Sequence, residues 1–556
     1  MIDFNDDKQE ERIKTLLRKE AEDSAELLSG KYGIAYGNLL TAPVNSDALR
    51  LVPEAEAREA KMAVFDISGK KLKVAVLSPQ FDKTLLVLKK LETAGYALTL
   101  FMVSATSLEK AWSLYATLSY ASESKAGALD ISAEEVASVM KDVKNLNDIT
   151  SKIDELLKGT KGFKISKILE VILAGALAIN ASDIHIEPEE EYVRIRFRLD
   201  GVLTDVIKFD RQTYRLLLSR IKLISGLKLN VGSEAQDGRF SVGVSDADIE
   251  IRTSVLPGAY AESIVMRVLN PKSISVPLEQ LGMSEKLLEL VNKTISKPNG
   301  MLLTTGPTGS GKTTTLYALL RKLHDPSIKI ITIEDPIEYH LPGIVQTQTD
   351  SEKGYTFLSG LRSALRQDPD VIMVGEIRDS ETASVAINSA LTGHLVFSTL
   401  HTNNAAGTFT RLIDLKVNPK IITSALSLAM AQRLVRKLCQ ACKKEAPIEP
   451  ADQELFKKIL SELKDPLPPI EKMFVPVGCA VCNNTGYKGR AGVYEAIITD
   501  QAIEKVVEAS PSEREIKKAS VAQNIPDMRQ DGIMKILAGL TSLEEVKRVI
   551  DLEAEM

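Results

Sequence analysis

The spacing of apolar residues divides the chain into regions of different character. In residues 1–120, the helical period of EERIKTLLRKEAEDSAELL precedes the short apolar runs MAVFDI and KLKVAVL, which predict strands. A small α/β domain is therefore expected there. Residues 121–162 are polar and charged with sparse apolar positions, so this stretch is predicted to be a linker or a pair of solvated helices.

Two further domains are predicted beyond this stretch. Residues 163–271 begin with a helix and continue with the strand-like runs YVRIRFRLDGVLTDV, DIEIRTSVL and SIVMRVL, which indicate an antiparallel sheet of α+β type. In residues 272–556 the apolar runs MLLTT, IKIITIE, VIMVGE and LVFSTL alternate with helical segments. That rhythm is typical of a parallel sheet covered by helices on both faces. Residues 497–556 are expected to be helical.

Residues 306–313 read GPTGSGKT between the strand MLLTT and the helical segment TTTLYALLRKL. The order strand, G-x-x-x-x-G-K-[ST], helix predicts a P-loop, whereas a chance glycine-rich turn would lack these flanks. In such a loop the backbone amides surround phosphate oxygens, Lys312 reaches the β- and γ-phosphates, and the Thr313 hydroxyl ligates Mg²⁺. The predicted ATP-binding residues here are Gly306, Pro307, Thr308, Gly309, Ser310, Gly311, Lys312, Thr313 and Thr314.

Acidic residues follow the next two predicted strands, where an open α/β sheet binds its ligands. Glu334, Asp335 and Glu338 follow IKIITI, and Glu376 follows VIMVG. One carboxylate can deprotonate an attacking water and another can hold Mg²⁺, although acidic residues also cap helices and loops. His394 and His401 lie on either side of LVFSTL. Each is either a structural histidine or a sensor of the γ-phosphate, and His401 is the preferred sensor.

All four cysteines lie in two C-x-x-C pairs, Cys439 with Cys442 and Cys479 with Cys482. Four thiolates can complete a closed structural Zn²⁺ site, so the segment 439–482 is predicted to bind zinc. A redox role for either pair is the alternative, but nothing nearby resembles a thioredoxin-like βαβ unit.

Composition and charge argue against a nucleic-acid-binding protein, a secreted protein and a membrane-spanning protein. With 44% hydrophobic and 26% charged residues and a net charge of -5, the chain has no global basic footprint for nucleic acid. The opening MIDFNDDKQEER is acidic where a signal peptide would be basic. The longest apolar run, 168–179, contains Glu170 and is too short to span a bilayer, so a cytoplasmic protein is expected.

Four sequence blocks resemble one family. GPTGSGKT, ITIEDPIEY, LRSALRQDPDVIMVGEIRD and TGHLVFSTLHTN are similar to the Walker A, aspartate, Walker B and histidine boxes of the type II/type IV secretion-superfamily ATPases. The resemblance covers about residues 160 to 550. It implies a RecA-like P-loop NTPase domain preceded by a PAS-like α+β domain and a small N-terminal adaptor domain. It also implies that Glu338 is the catalytic base and Glu376 the Walker B acid, which holds Mg²⁺.

The same resemblance gives arginines a role that the residues alone do not. Arg362 and Arg366 match arginines that precede Walker B, as phosphate or interface contacts, although without the family they read as an exposed helix face. The segments ASDIHIEP at 181–188 and QDGR at 236–239 resemble signatures of the preceding domain. Within that domain, Arg252 and Arg267 correspond to arginines that contact nucleotide phosphates; the alternative is two surface arginines.

The cysteine insertion and the TGYKGRAGVYE that follows it resemble the assembly-type members, whereas the retraction-type motors lack the insertion. In the N-terminal region, LRLVPEAEARE and KLKVAVLSP resemble the family's adaptor domain. The motif with which some members bind cyclic diguanylate is absent, so docking to a membrane-associated partner is expected of this domain instead.

The resemblance as a whole implies a homohexameric ATPase, peripherally associated with the inner membrane, that uses ATP, Mg²⁺ and Zn²⁺. It is expected to act on a polytopic inner-membrane platform protein, and through it on pilin or pseudopilin subunits, to assemble a type IV pilus or a type II secretion pseudopilus. The sequence leaves the kind of filament open. A P-loop translocase of DNA or RNA and a non-catalytic nucleotide-dependent scaffold are the alternatives, and no nucleic-acid partner is expected.

Overall fold

The computed structural model describes residues 6–42, 44–49, 51–68, 70–117, 133–158, 164–244, 247–270, 276–509 and 511–553. The chain divides into two compact units, residues 1–124 and 125–556. In the described ranges, no helix has the length and apolar character needed to cross a membrane.

The first unit is a small α/β fold, as its alternating periodicities predict. Its sheet has the order β1-β4-β3-β2, in which β3 and β1 run parallel to β4 and β2 runs antiparallel to β3. An apolar core that includes Leu72, Val74 and Leu108 fills it. The elements are α1 (Asp6–Tyr32), β1 (Ala35–Tyr36), α2 (Ser46–Leu49), α3 (Glu54–Glu59), β2 (Met62–Ser68), β3 (Lys71–Val76), α4 (Asp82–Thr93), β4 (Ala97–Met102), α5 (Ala105–Ser113) and the 3-10 turn Leu114–Thr117.

The second unit begins with helices and an antiparallel sheet. Six strands pair in the order β7-β6-β5-β10-β9-β8. The strand β6 alternates buried and half-buried residues, so one face of the sheet packs on a core and the other is polar. The elements are α6 (Ala133–Asp142), α7 (Leu146–Lys158), α8 (Lys164–Ala178), β5 (Asp183–Pro188), β6 (Val193–Leu199), β7 (Val202–Phe209), α9 (Arg211–Ile224), β8 (Gln236–Val244), β9 (Ala247–Leu256) and β10 (Ser263–Leu269).

The helices α6 and α7 differ from the expectation of a linker or of solvated helices. Val136, Ile149 and Ile153 are fully or almost fully buried in the core that α8 shares with the six-stranded sheet. Ile149 and Ile153 are four residues apart, so they lie on one face of α7. The apolar stripe is narrow and is surrounded by many charged residues, so the composition of this stretch did not indicate that the helices are packed on a core. Residues 121–132 and 159–162 of this stretch lie outside the described residues.

The last part of the second unit is built on a seven-stranded sheet of order β13-β12-β14-β15-β11-β16-β19. Its pairings are parallel except for β16 with β19, which confirms the predicted parallel sheet. Every residue of the central strand β11 is buried. Such continuous burial is typical of a parallel strand covered on both faces.

The elements of this part up to β15 are the 3-10 turn Leu278–Gln280, α10 (Glu285–Ile295), β11 (Gly300–Thr305), α11 (Lys312–Leu323), β12 (Ile330–Glu334), β13 (Val345–Gln348), α12 (Phe357–Ala364), the 3-10 turn Leu365–Gln367, β14 (Val371–Val374), α13 (Ser380–Leu391) and β15 (Leu395–Leu400). The elements that follow are α14 (Ala406–Asp414), α15 (Pro419–Ala425), β16 (Leu426–Leu438), β17 (Lys444–Pro447), α16 (Pro450–Leu460), β18 (Lys472–Val475), the 3-10 turn Ala480–Cys482, β19 (Tyr487–Ile498), α17 (Gln501–Glu508), α18 (Glu513–Ser520), the 3-10 turn Val521–Gln523, α19 (Met528–Leu537) and α20 (Leu543–Val549).

Candidate active site

The loop of residues 306–313 joins the end of β11 to the start of α11. Gly306, Gly309 and Gly311 have φ angles of 147°, 79° and 91°, which favour glycine. A Cβ on Gly306 would lie 2.5 Å from the carbonyl oxygen of Gln432, and one on Gly311 would lie 2.7 Å from the Gln432 side-chain nitrogen. The glycines therefore let the loop pass close to β16 before α11 begins.

Lys312, the first residue of α11, folds back onto this loop. Its Nζ donates to the carbonyl oxygens of Gly306 at 2.8 Å and Pro307 at 3.2 Å. Burial lowers the pKa of Lys312, whereas the nearby charge of Glu376 opposes that shift. The Ser310 hydroxyl is buried and has no hydrogen-bond partner among the described residues. An ammonium, free helix amides and an unpaired hydroxyl at one loop fit a phosphate group.

Thr313 and Thr314 lie in the first turn of α11. Thr313 is exposed and Thr314 is half-buried. The backbone N–H groups of a first helical turn have no partner within the helix, so this end of α11 can donate to an anion. The Thr313 side chain is solvent-accessible in that turn and carries a hydroxyl oxygen, which is a type of ligand that Mg²⁺ accepts.

Glu376 lies two residues beyond β14, and two cationic or potentially cationic groups contact it. Arg378 Nη2 donates to Glu376 Oε1, and His401 Nε2 lies 3.1 Å from Glu376 Oε2. Burial raises the pKa of Glu376, but the interactions with Arg378 and His401 outweigh burial and lower it. The carboxylate is thus held ionised at the end of its strand. His394, at the other end of β15, instead contacts the Ser389 carbonyl oxygen at 3.0 Å.

Glu338 lies in the loop between β12 and β13, next to an arginine from the six-stranded sheet. Arg252, on β9, donates from Nη2 to the carbonyl oxygen of Ile337 at 2.8 Å. Its Nη1 lies 3.5 Å from Glu338 Oε2. Arg252 therefore extends from the six-stranded sheet to the loop that carries Glu338, which belongs to the seven-stranded sheet.

Arg267 lies directly opposite Arg252 in the pairing of β10 with β9. Its Nε is 3.2 Å from Asp183 Oδ1, and its side chain is 61% exposed. Asp183 also pairs with Arg198 at 3.3 Å. The structure therefore brings Arg252, but not Arg267, into contact with the Glu338 loop.

Arg362 and Arg366 have partners on or near their own helix. Arg362 Nη2 lies 3.8 Å from Glu381 Oε2, and both side chains are largely exposed. Arg366 donates to the carbonyl oxygen of Arg362 and to Ser363 Oγ, both at 3.0 Å. Neither contact involves the P-loop of this chain.

Sequence reasoning missed two arginines at this edge of the sheet. Arg378 follows Glu376 by two residues and is its ion-pair partner. Arg433, on β16, donates from Nη2 to the Asn403 carbonyl oxygen at 2.9 Å and lies beside Gly306. Burial lowers the pKa of Arg433. Arg433 shares β16 with Arg436 and Lys437, so the residue pattern did not distinguish it, and Arg378 had only its spacing from Glu376 as a signal.

The four cysteines converge at one point. Their Sγ atoms lie within 4.8 Å of one another. Cys439 and Cys479 are 3.9 Å apart, Cys442 and Cys482 are 3.8 Å apart, and Cys479 and Cys482 are 3.7 Å apart between sulfurs. A tetrahedron with Zn–S bonds of about 2.3 Å has edges of about 3.8 Å, so the spacing fits a zinc tetrathiolate.

Backbone groups near the cysteines also favour metal binding by their sulfur atoms. The N–H groups of Cys479 and Gly486 both donate to Cys482 Sγ at 3.2 Å. Burial raises the pKa of Cys482, but these hydrogen bonds favour its thiolate and lower the pKa to about 7. Asn483 and Asn484 follow with φ angles of 52° and 60°, which turn the chain tightly around the cluster.

Comparison with known proteins places most of the chain in one group. The family described as type II/IV secretion system protein matches residues 160–548. Type II secretion system protein E from Pseudomonas aeruginosa is 44% identical over 408 residues, which are 73% of this chain and 80% of the relative. The type IV pilus assembly ATPase PilB from Myxococcus xanthus is 37% identical over 526 residues, which are 94% of this chain and 90% of the relative.

A solved structure has the same fold. The ATPase DotB from Legionella pneumophila superposes with a TM-score of 0.51 at 23% identity, over 71% of this chain and 98% of that chain. Similarity at this identity concerns the fold. It confirms the predicted α/β class with a RecA-like P-loop domain.

We expect purified protein to contain about one zinc ion per chain, because four cysteine sulfurs at tetrahedral spacing form a closed site. Replacing Cys439 and Cys442 by alanine should abolish metal binding and lower the thermal unfolding midpoint by more than about 5 °C, since a structural zinc contributes folding free energy. Elemental analysis and calorimetry measure the two effects. Val481→Ala, at an exposed position between two cysteines, is the matched control. Metal-free protein from a chelator-free purification would contradict the assignment.

Proposed function

The chain belongs to the type II/IV secretion system protein family and is an ATPase of the secretion type, and we propose that it is a homohexameric motor that powers assembly of a type IV pilus or a type II secretion pseudopilus. One observation carries this proposal. Arg252 from the six-stranded sheet contacts the Glu338 loop of the P-loop sheet. Such a contact can link a change at a bound phosphate to a movement between two parts of the chain.

We assign ATP binding to the P-loop and the start of α11. The phosphates are bound by the Lys312 ammonium, by the Ser310 hydroxyl and by backbone N–H groups of residues 306–314 other than Pro307, which has no N–H. Thr313 and Glu376 would hold Mg²⁺. When bound, Mg²⁺ would supply neutralisation of the phosphate charge. The ionised state of Glu376 suits this role.

Hydrolysis is assigned to Glu338. As general base, Glu338 accepts a proton from the water that attacks the γ-phosphate. The Arg252 guanidinium, which lies 3.5 Å from Glu338, can offset the negative charge that develops on the γ-phosphate. His401 directly follows β15 and lies 3.1 Å from Glu376. We assign it as the γ-phosphate sensor, whose position depends on whether the γ-phosphate is present.

The remaining arginines fit a ring of subunits. Arg267, Arg362 and Arg366 have exposed side chains or only local partners in this chain. In a closed ring such side chains are available to the nucleotide site or the interface of a neighbouring subunit. In this proposal the adaptor domain of residues 1–120 docks to a partner, and residues 163–271 and 272–556 form the motor.

The work proposed for the motor is extension of a filament. Relatives with extensive coverage carry the names type II secretion system protein E and type IV pilus assembly ATPase PilB. The cysteine cluster, which resembles the insertion of assembly-type motors, favours assembly over retraction. The partner is a polytopic inner-membrane platform protein, through which pilin or pseudopilin subunits leave the membrane. The motor stays on the cytoplasmic side, peripherally attached.

Substitutions at Lys312 and Glu338 should separate binding from hydrolysis. Lys312→Ala is expected to lower ATP turnover by about 100-fold or more, because it removes the phosphate contact. Glu338→Gln should retain ATP binding but lose about 100-fold or more in hydrolysis, because the amide cannot accept the proton. Phosphate release and binding of a fluorescent ATP analogue measure the two. Turnover of either variant within a few-fold of the parent would show that the site is misplaced.

The contact from the six-stranded sheet should matter for turnover more than for binding. Arg252→Ala is expected to lower kcat by about tenfold or more while the Kd for ATP changes little, and Arg267→Ala should act in the same direction. Arg194→Ala, on the same sheet and ion-paired with Glu187 and Glu189, is the matched control. Parental turnover in Arg252→Ala and Arg267→Ala, or a monomeric active species in light scattering, would exclude this coupling.

The partner class is tested by stimulation of ATP turnover. We expect the parent protein to hydrolyse ATP several-fold faster with the cytoplasmic part of the platform protein than without it, since the motor works against that partner. Single- and double-stranded DNA serve as the alternative partners. Stimulation by DNA and none by the platform protein would favour a nucleic-acid translocase instead.

A further inference from the structure

A buried polar cluster lies beneath the loop that carries Glu338. Its centre is Glu334, the last residue of β12, which is 3% exposed. Glu334 Oε2 accepts a hydrogen bond from the Tyr317 hydroxyl. Glu334 Oε1 accepts from Thr332 Oγ1 at 2.5 Å and from Gln346 Nε2 at 3.0 Å. Burying a carboxyl group is costly without such donors, so the four side chains form one unit.

The cluster joins three elements around the nucleotide site. Tyr317 comes from α11, the helix that follows the P-loop, and it is fully buried. Glu334 ends β12 and Gln346 lies on β13, the two strands between which the Glu338 loop runs. The Tyr317 ring also packs edge to face on Tyr339, with ring centroids 4.6 Å apart. The P-loop helix is therefore tied to both ends of the loop.

From this cluster, hydrogen bonds reach the loop backbone itself. The N–H of Glu338 donates to the Tyr317 hydroxyl oxygen at 3.4 Å. Gln346 Nε2 donates to the carbonyl oxygen of Tyr339 at 3.2 Å, and Gln346 Oε1 accepts from the N–H of Leu341 at 2.6 Å. Three backbone groups between residues 338 and 341 are thus held by side chains that bond to Glu334 or to its partners.

Glu334 is placed to act through Glu338 and not in its place. Both Glu334 carboxyl oxygens already accept hydrogen bonds within the protein, and the side chain is shielded from solvent. The Glu338 side chain is 31% exposed and faces Arg252. A water molecule can reach Glu338 from solvent, whereas burial shields Glu334 from solvent.

We propose that Glu334 and Tyr317 are positioning residues for ATP hydrolysis, which hold the Glu338 backbone in a fixed place relative to the P-loop helix. This inference rests on the proposed function, in which Glu338 is the base. A displacement of about 1 Å at a reacting group can cost about 100-fold in rate. Loss of the cluster should therefore slow hydrolysis, whereas the P-loop contacts with the phosphates remain.

The test uses the full-length protein with Tyr317→Phe, which keeps the ring packing and removes only the hydroxyl. We expect single-turnover hydrolysis to fall by about tenfold or more, while the Kd for a fluorescent ATP analogue changes by less than about threefold. Glu334→Gln should fall further, because one amide hydrogen then faces another donor. Tyr487→Phe removes a buried hydroxyl that contacts Ser542 at 2.6 Å, far along the chain, and should stay near the parental rate.

A double variant separates positioning from general destabilisation. If Tyr317 acts through Glu338, then Tyr317→Phe should cause almost no further loss in a Glu338→Gln background, because the group it positions is gone. The inference would be overturned if the rate losses of the two substitutions multiplied in the double variant, or if Tyr317→Phe alone had parental turnover. The proposed function would still stand in either case, provided that Glu338→Gln is inactive. Parental turnover in Glu338→Gln itself would overturn both. Equal thermal midpoints for Tyr317→Phe and Tyr487→Phe establish that fold stability is not the cause.

Discussion

The parallel pairing of β11, β12, β14 and β15 is the constraint from which the site follows. Thr305 pairs with Leu400, and Ile333 pairs with Val374, so the strands end together at one edge of the sheet. The residues directly beyond those ends are the P-loop, the Glu338 loop, Glu376 and His401. Segments that are distant in sequence become neighbours because parallel strands present their carboxyl ends on the same side. The burial of β11 on both faces stabilises the sheet next to that edge, because its apolar residues are removed from water on both sides.

A second sheet completes the site, and pairing decides which of its arginines takes part. Arg252 and Arg267 lie opposite each other on β9 and β10. The next strand across, β5, places Asp183 opposite Arg267, and the two side chains pair at 3.2 Å. Arg252 is bonded to Glu250 at 3.1 Å and still reaches the Ile337 carbonyl oxygen. Two arginines that are equivalent in sequence pattern thus differ in structure because only one of them has an acidic residue across the ladder.

Local pattern was sufficient for the features that depend on neighbouring residues. The P-loop, its flanking strand and helix, and the strands that precede Glu338 and Glu376 could be predicted because each is defined within a few residues. The burial of Ile149 against α8 and the burial and hydrogen bonding of Glu334 could not be predicted, since both depend on residues that are not their neighbours in the chain. Glu334 was grouped with its acidic neighbours on sequence, yet it is the one that the fold encloses. Family resemblance supplied the arginine assignments, and no spacing rule distinguishes Arg252 from any other strand arginine.

The cysteine cluster adds a geometric condition to any movement between the two sheets of the second unit. Asn483, directly after Cys482, accepts a hydrogen bond from the N–H of Leu146 at the start of α7, at 3.0 Å. Asp200, in the turn between β6 and β7, accepts from the N–H of Gly489 at 2.9 Å. The six-stranded sheet and its helices are therefore held to the P-loop part at the cysteine end as well as at the Arg252 contact. A movement that separates Arg252 from Glu338 must either pivot about the cysteine end or break both of these bonds. Pivoting is the motion that leaves more of the native contacts intact, because it keeps the bonds at Asn483 and Gly489.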